Sequence, residues 1–139
     1  MRIESVQPEG WAAPKGYSNA IAVEGAAKLL FVAGQIAFDP SGRLVGVGDF
    51  VTQFRQALHN VVEVVRAAGG APEHVVRMTV YVTDKRAYLA NIKQVGAAWR
   101  ECIGRHYPAM ALVQVADLLE EGAMVEIEAT AALPPSAAR

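Results

Sequence analysis

The sequence predicts an α+β fold in which a mixed β-sheet carries two helices on one of its faces. Two segments, 50–68 and roughly 84–104, repeat apolar residues at spacings of three and four, the period of a helix with one buried stripe. Five shorter segments, 18–24, 28–33, 75–83, about 110–116 and about 123–132, read as strands. Their order is ββ, helix, strand, helix, ββ. Two helices can then cover one sheet face, and the other face needs a partner.

Taken in order, a polar opening segment ends in PKGYSNA, and the first two strands are separated by EGAA, a hairpin signal. GQIAFDPSGRLVGVGD follows as a glycine-rich loop. Asp49 is placed to cap the first helix, whose stripe is Phe54, Leu58, Val61 and Val65 and whose stop is Gly69-Gly70. In VVRMTVYVT, Val76, Met78, Val80 and Val82 are expected on one face, with Arg77, Thr79 and Tyr81 on the other. Asp84 caps a second helix with the stripe Leu89, Ile92, Val95, Gly96, Trp99 and Ile103, ending near Gly104 ahead of Pro108. In MVEIEAT the alternation puts Val125, Ile127 and Ala129 under the helices and Glu126 and Glu128 together on the opposite face. The Pro and Ala of ALPPSAAR mark a frayed tail.

A chain of 139 residues fits one domain, 1–139, with a core of its own. Its 53% hydrophobic content against 19% charged residues is rich for that size, so part of the apolar surface is expected to be covered by another subunit. Thirteen Lys and Arg against fourteen Asp and Glu leave a net charge of −1, which disfavours nucleic acid and anionic membranes as partners. The single Cys102 excludes an internal disulfide and lies outside any C-x-x-C pattern. The first residues lack a hydrophobic signal core, and no apolar run reaches the ~20 residues that span a bilayer. A cytoplasmic location is expected.

Glu126 and Glu128 could supply an acid and a base, or one could pair with Arg77; a solvated or ion-paired strand face is the plainer reading of the same pattern. His59 lies between Arg55 and Arg66 on the polar side of the first helix, His74 in a loop and His106 at a helix end. No two have metal-ligand spacing, and surface roles are expected for all three. The glycine-rich loop has no G-x-x-x-x-G-K-[ST] pattern, and Ser18 and Ser41 lack a G-x-S-x-G setting. Neither a metal nor a cofactor is expected. Lys85, Arg86, Lys93, Arg100 and Arg105 could touch RNA phosphates, but with so few aromatics between them a solvated face is the expectation.

GYSNA at 16–20, VAGQIAFDP at 32–40, QFRQALHNVVEVVRAAG at 53–69, VVRMTVYVTD at 75–84, YPAM at 107–110 and VEIEATA at 125–131 follow one another in an order that resembles the RidA family. This family is also called the YjgF or L-PSP endoribonuclease family, and the likeness covers nearly the whole chain. The resemblance implies chorismate-mutase-like α+β subunits in a homotrimer, with sheets packed inside and a small-molecule cleft at each subunit boundary. It also implies hydrolysis of reactive enamines and imines to keto acids and ammonia. In the active deaminases an arginine after the YPA type of turn clamps the substrate carboxylate in a bidentate way, which methionine cannot reproduce. Here that position is Met110, followed by Ala111 and Leu112, and VADLL stands for the common VARLP, with Asp117 where a cation is usual. Tyr17 matches the family's cleft tyrosine, Gly34 the glycine whose backbone borders the ligand, and Glu126 the glutamate that positions or activates water.

The expectation is a deaminase or hydrolase of an imine- or enamine-like metabolite other than 2-aminoacrylate. Glu126 and Tyr17 are its expected catalytic residues, with Gly34, Met110 and Ala111 against the ligand. A non-catalytic ligand-binding or regulatory trimer is the alternative, and the RNA cleavage of the family's older name is a third reading.

Overall fold

The computed structural model describes residues 1–136 and has the expected α+β architecture. Strands β1 (Arg2–Val6) and β2 (Ala20–Glu24) form a two-stranded antiparallel ribbon. β3 (Lys28–Gln35), β4 (Val75–Val82), β5 (Ala109–Gln114) and β6 (Val125–Leu133) form a second sheet of order β3-β6-β4-β5, with β4 and β5 parallel and the other two pairs antiparallel. The helices are α1 (Phe50–Ala67), α2 (Lys85–Ala90) and α3 (Ile92–Cys102). Among the described residues no helix is long and apolar enough to cross a membrane. The expected frayed tail lies partly, at 137–139, outside the described residues.

Three local expectations are corrected. The EGAA signal does not make a hairpin: the backbone of Ala27 donates to Leu133 and starts the β3–β6 ladder, while β2 pairs with β1. β1 itself hides in the polar opening segment because all its residues but Ile3 are exposed, so no alternation of burial marks it. In β4 an extra residue, Val76, bulges between the pairs Val75↔Ala131 and Arg77↔Thr130, so Val75 rather than Val76 is buried with Met78, Val80 and Val82. The second helix breaks at Asn91, where φ −119° and ψ 24° leave the helical region. Leu89 and Ile92 therefore leave the expected stripe and are exposed, while Val95, Trp99 and Ile103 are buried as expected, Gly96 is half-buried and Ala98 joins the buried face.

α1 forms as its sequence dictates. Asp49 accepts from the Thr52 backbone at 3.1 Å and from its hydroxyl at 2.8 Å, and these bonds hold its carboxyl below the usual range. Gly69, at φ +88°, closes the helix with a bond from its N–H to Arg66. The face with Phe54, Leu58, Val61 and Val65 is fully buried. Gln53, also fully buried, donates to the Gly122 carbonyl at 2.9 Å and accepts from the Met124 N–H at 2.8 Å, tying α1 to the turn before β6.

α1 lies over β6 and β3, and α3 packs beside α1. Between α3 and the β4–β5 edge a space remains. Among the described residues nothing covers the opposite sheet face, which exposes Leu29 and Phe31, the latter 76% accessible.

Candidate functional site

A cavity of about 350 Å³ opens in that space, a volume within the ordinary range for small-molecule sites. Its strand-side lining is Val80 of β4 with Met110 and Leu112 of β5, which stand opposite Met78 and Val80 in the parallel register. α3 contributes Ile92, Val95, Gly96, Trp99 and Arg100, and Phe54 of α1 closes the inner end. Trp99 stacks on Tyr107, with ring centroids 6.1 Å apart and 6° between planes, and its indole N–H donates to the His106 carbonyl at 3.1 Å. Two aromatic rings thus form one fixed wall.

The remaining wall comes from the loop before β2. Ser18 is pinned to the start of β5: its N–H donates to Pro108 at 3.0 Å and its hydroxyl to the Tyr107 carbonyl at 2.6 Å. Gly16, at φ +74°, makes the turn that an L side chain would resist. Lys15 and Tyr17 are thereby delivered to the cavity mouth.

Gly34 and Glu126 meet elsewhere. β3 bulges at Ala33–Gly34, two residues set against Glu128, and a Cβ on Gly34 would lie 2.8 Å from Glu126 Cδ. Glycine leaves the space that the Glu126 carboxylate occupies. Glu126 faces Tyr81 across the strands, and Glu128 accepts the Tyr81 hydroxyl at 2.6 Å, which raises the phenol's pKa. The possible pair of Arg77 with a strand glutamate is not formed, since Glu128 takes Tyr81 and Arg77 sits opposite Thr130. Ala111, between Met110 and Leu112 on β5, points to this same uncovered face.

The five sequence-predicted residues therefore fall into two groups, Tyr17 and Met110 in the cavity and Gly34, Glu126 and Ala111 on the opposite sheet face. Lys15, Tyr88 and Arg100 were missed as cavity residues, and Trp99 was read only as core. One signal for them was Gly96, a mid-helix glycine that costs roughly 1 kcal/mol against alanine and so points to a close approach. The surface reading of the histidines holds for His59 alone: His74 accepts the Ala71 N–H at 2.9 Å, and His106 Nε2 donates to the Val75 carbonyl at 2.6 Å. Both are half-buried because they satisfy backbone groups. Burial also pushes the Cys102 thiol up, away from nucleophile behaviour. Among the described residues no His, Cys, Asp and Glu cluster could hold a metal ion.

A family model described as Endoribonuclease L-PSP matches residues 9–133. The chain belongs to this family, the RidA or YjgF family. YyfB of Yersinia pestis, a Rid-family protein of known structure, is 36% identical and superposes with a TM-score of 0.82 over 96% of this chain and 100% of its own. Human 2-iminobutanoate/2-iminopropanoate deaminase is 33% identical over 119 residues, 86% of this chain and 81% of its own. E. coli TdcF, solved with bound serine, is 30% identical with a TM-score of 0.66, covering 93% of this chain and 98% of its own.

Proposed function

We propose that this Rid-family chain hydrolyses imine- or enamine-type metabolites with a larger apolar body than 2-aminoacrylate, as a homotrimer. The observation that carries the reading is the apolar, aromatic-walled cavity holding Tyr17 and Met110, in a chain similar to an iminobutanoate deaminase. In the reaction, water oxygen adds to the carbon of the C=N bond, a proton passes to nitrogen, and cleavage of the C–N bond releases ammonia and leaves a keto group. Glu126 accepts the water proton and the Tyr17 hydroxyl bonds the ligand.

Within one chain Glu126 lies across the sheet from the cavity, so the proposal requires a second copy to present its Gly34–Glu126 face to the mouth. Exposed Leu29 and Phe31 on that face supply apolar contact for such a partner. Light scattering should give a trimer, and a stable monomer at micromolar concentration would refute this part. The separation of Glu126 from Tyr17 favours one other reading, a trimer that binds ligand without turnover. Ammonia release from 2-imino acids, generated in place by an amino-acid oxidase from amino acids of increasing side-chain size, decides. Acceleration that grows with apolar size supports hydrolysis; ligand binding with no acceleration across the series supports the binding-only reading.

A further inference from the structure

We infer that Arg100 and Lys15 form a carboxylate-recognition pair at the cavity mouth, selecting a ligand with one anionic end and an apolar or aromatic body. This rests on the cavity being the substrate site. The two cations come from different elements, the last turn of α3 and the loop pinned to β5, and both line the same cavity. Both are exposed, so their charges sit where the cavity meets solvent while its inner end is Phe54, Val80 and Val95.

The arginine's local geometry favours ligand binding over a purely solvated role. A Cβ built on Gly96 would lie 3.4 Å from Arg100 Nη1, so the guanidinium is folded back over the glycine, one turn earlier on the cavity-lining side of α3. Gly96 leaves the room that this placement uses. The adjacent Glu101 is directed away and pairs with Arg55 at 3.0 Å. Among the described residues neither Arg100 nor Lys15 has a carboxylate partner within 4.0 Å; Arg43, Arg77 and Arg105 are unpaired as well, but they do not line this cavity.

Among the described residues no Asp or Glu lines the cavity, so its mouth carries positive charge above an apolar interior. Low-dielectric walls focus such a field on an entering anion. A guanidinium offers parallel N–H donors to a carboxylate, and a lysine adds a point charge. Trp99, Tyr107, Tyr88 and Met110 then face the body of the ligand.

Calorimetric titration with 3-phenylpropanoate and with its neutral amide, 3-phenylpropanamide, tests the pair. Wild type should prefer the carboxylate by about 10–150-fold, the factor that a charge-assisted contact supplies. Raised salt should narrow that gap. Arg100→Gln should remove most of the preference, Arg100→Lys part of it, and Lys15→Gln a smaller part, with amide binding retained in each as proof of an intact cavity. An undiminished preference in the Arg100→Gln/Lys15→Gln double variant overturns the pair and leaves the cavity reading standing. Failure of wild type to bind either probe overturns both.

Discussion

A methyl group at Gly34 tests whether the place of the Glu126 carboxylate matters to turnover. Gly34 does not have a positive φ, so alanine suits its backbone and the substitution acts through space alone. The new Cβ would stand 2.8 Å from Glu126 Cδ and 2.9 Å from Oε1, so reaching the 3.4 Å edge of ordinary contact requires the carboxyl to retreat by about 0.6 Å. That group is the end of a flexible, half-buried side chain, so it yields without unfolding the sheet. A displacement of ~1 Å in a reacting group can cost about 10²-fold in rate, which sets an expected loss of roughly 10-fold to 100-fold here. The assay is kcat/KM on the best imine found, with a thermal melt beside it. Gly34→Ala should lower kcat/KM with little change in Tm, and should add almost nothing in a Glu126→Gln background, since both changes act through one carboxylate. Unchanged kcat/KM in Gly34→Ala, or full additivity with Glu126→Gln, would refute the reasoning.

Glu126→Gln keeps shape but removes the base, so turnover should fall by about 10²–10⁴-fold, while Tyr17→Phe should mainly raise KM by the factor that a hydrogen bond of about 0.5–1.5 kcal/mol supplies. Steady-state kinetics of both variants check this, and full activity in the Gln variant removes Glu126 from the mechanism. Met110→Arg should gain ammonia release from freshly generated 2-aminoacrylate, a small substrate with little apolar surface to bind; equal turnover by wild type would show that no cation at position 110 is needed. Gln53→Leu deletes both bonds from α1 to the 122–124 turn, and urea denaturation should show a loss of about 2 kcal/mol or more, since unmet buried groups cost about 1–3 kcal/mol each.

Features set by neighbours in sequence were legible, and features set by distant partners were not. The extent of α1 follows from the Asp49 cap, a spacing of three and four, and Gly69, all local signals. The faces of β6 follow from strict alternation, which put Glu126 and Glu128 together. The partner of β2 depends instead on the exposed β1, and the burial of Val75 depends on a bulge that only the β6 register reveals. The break at Asn91 has a local cause in its side chain, which donates to the Ala87 carbonyl at 2.7 Å, but an apolar residue on each side continues the apparent stripe across it. Tyr17 and Met110 came from motif likeness, and nothing local could have shown that Lys15 and Arg100, 85 residues apart, share their cavity.

The place of a cation decides which way round a ligand sits. At position 110 it would lie on a strand among Val80, Leu112 and Trp99, and with no anion bound it would have to stretch past them to reach water. At Arg100 and Lys15 the cations stay hydrated at the mouth, so an empty cavity is not burdened with a buried charge. A 2-imino acid held there by its carboxylate points its side chain inward, toward Phe54 and Val95. Its imine carbon, bonded directly to the carboxylate carbon, then remains at the mouth. In the proposed trimer, where a second copy presents Glu126 to the mouth, a carboxylate held by Arg100 and Lys15 would leave the imine carbon beside that base, so a ligand with an apolar body would need no cation at position 110.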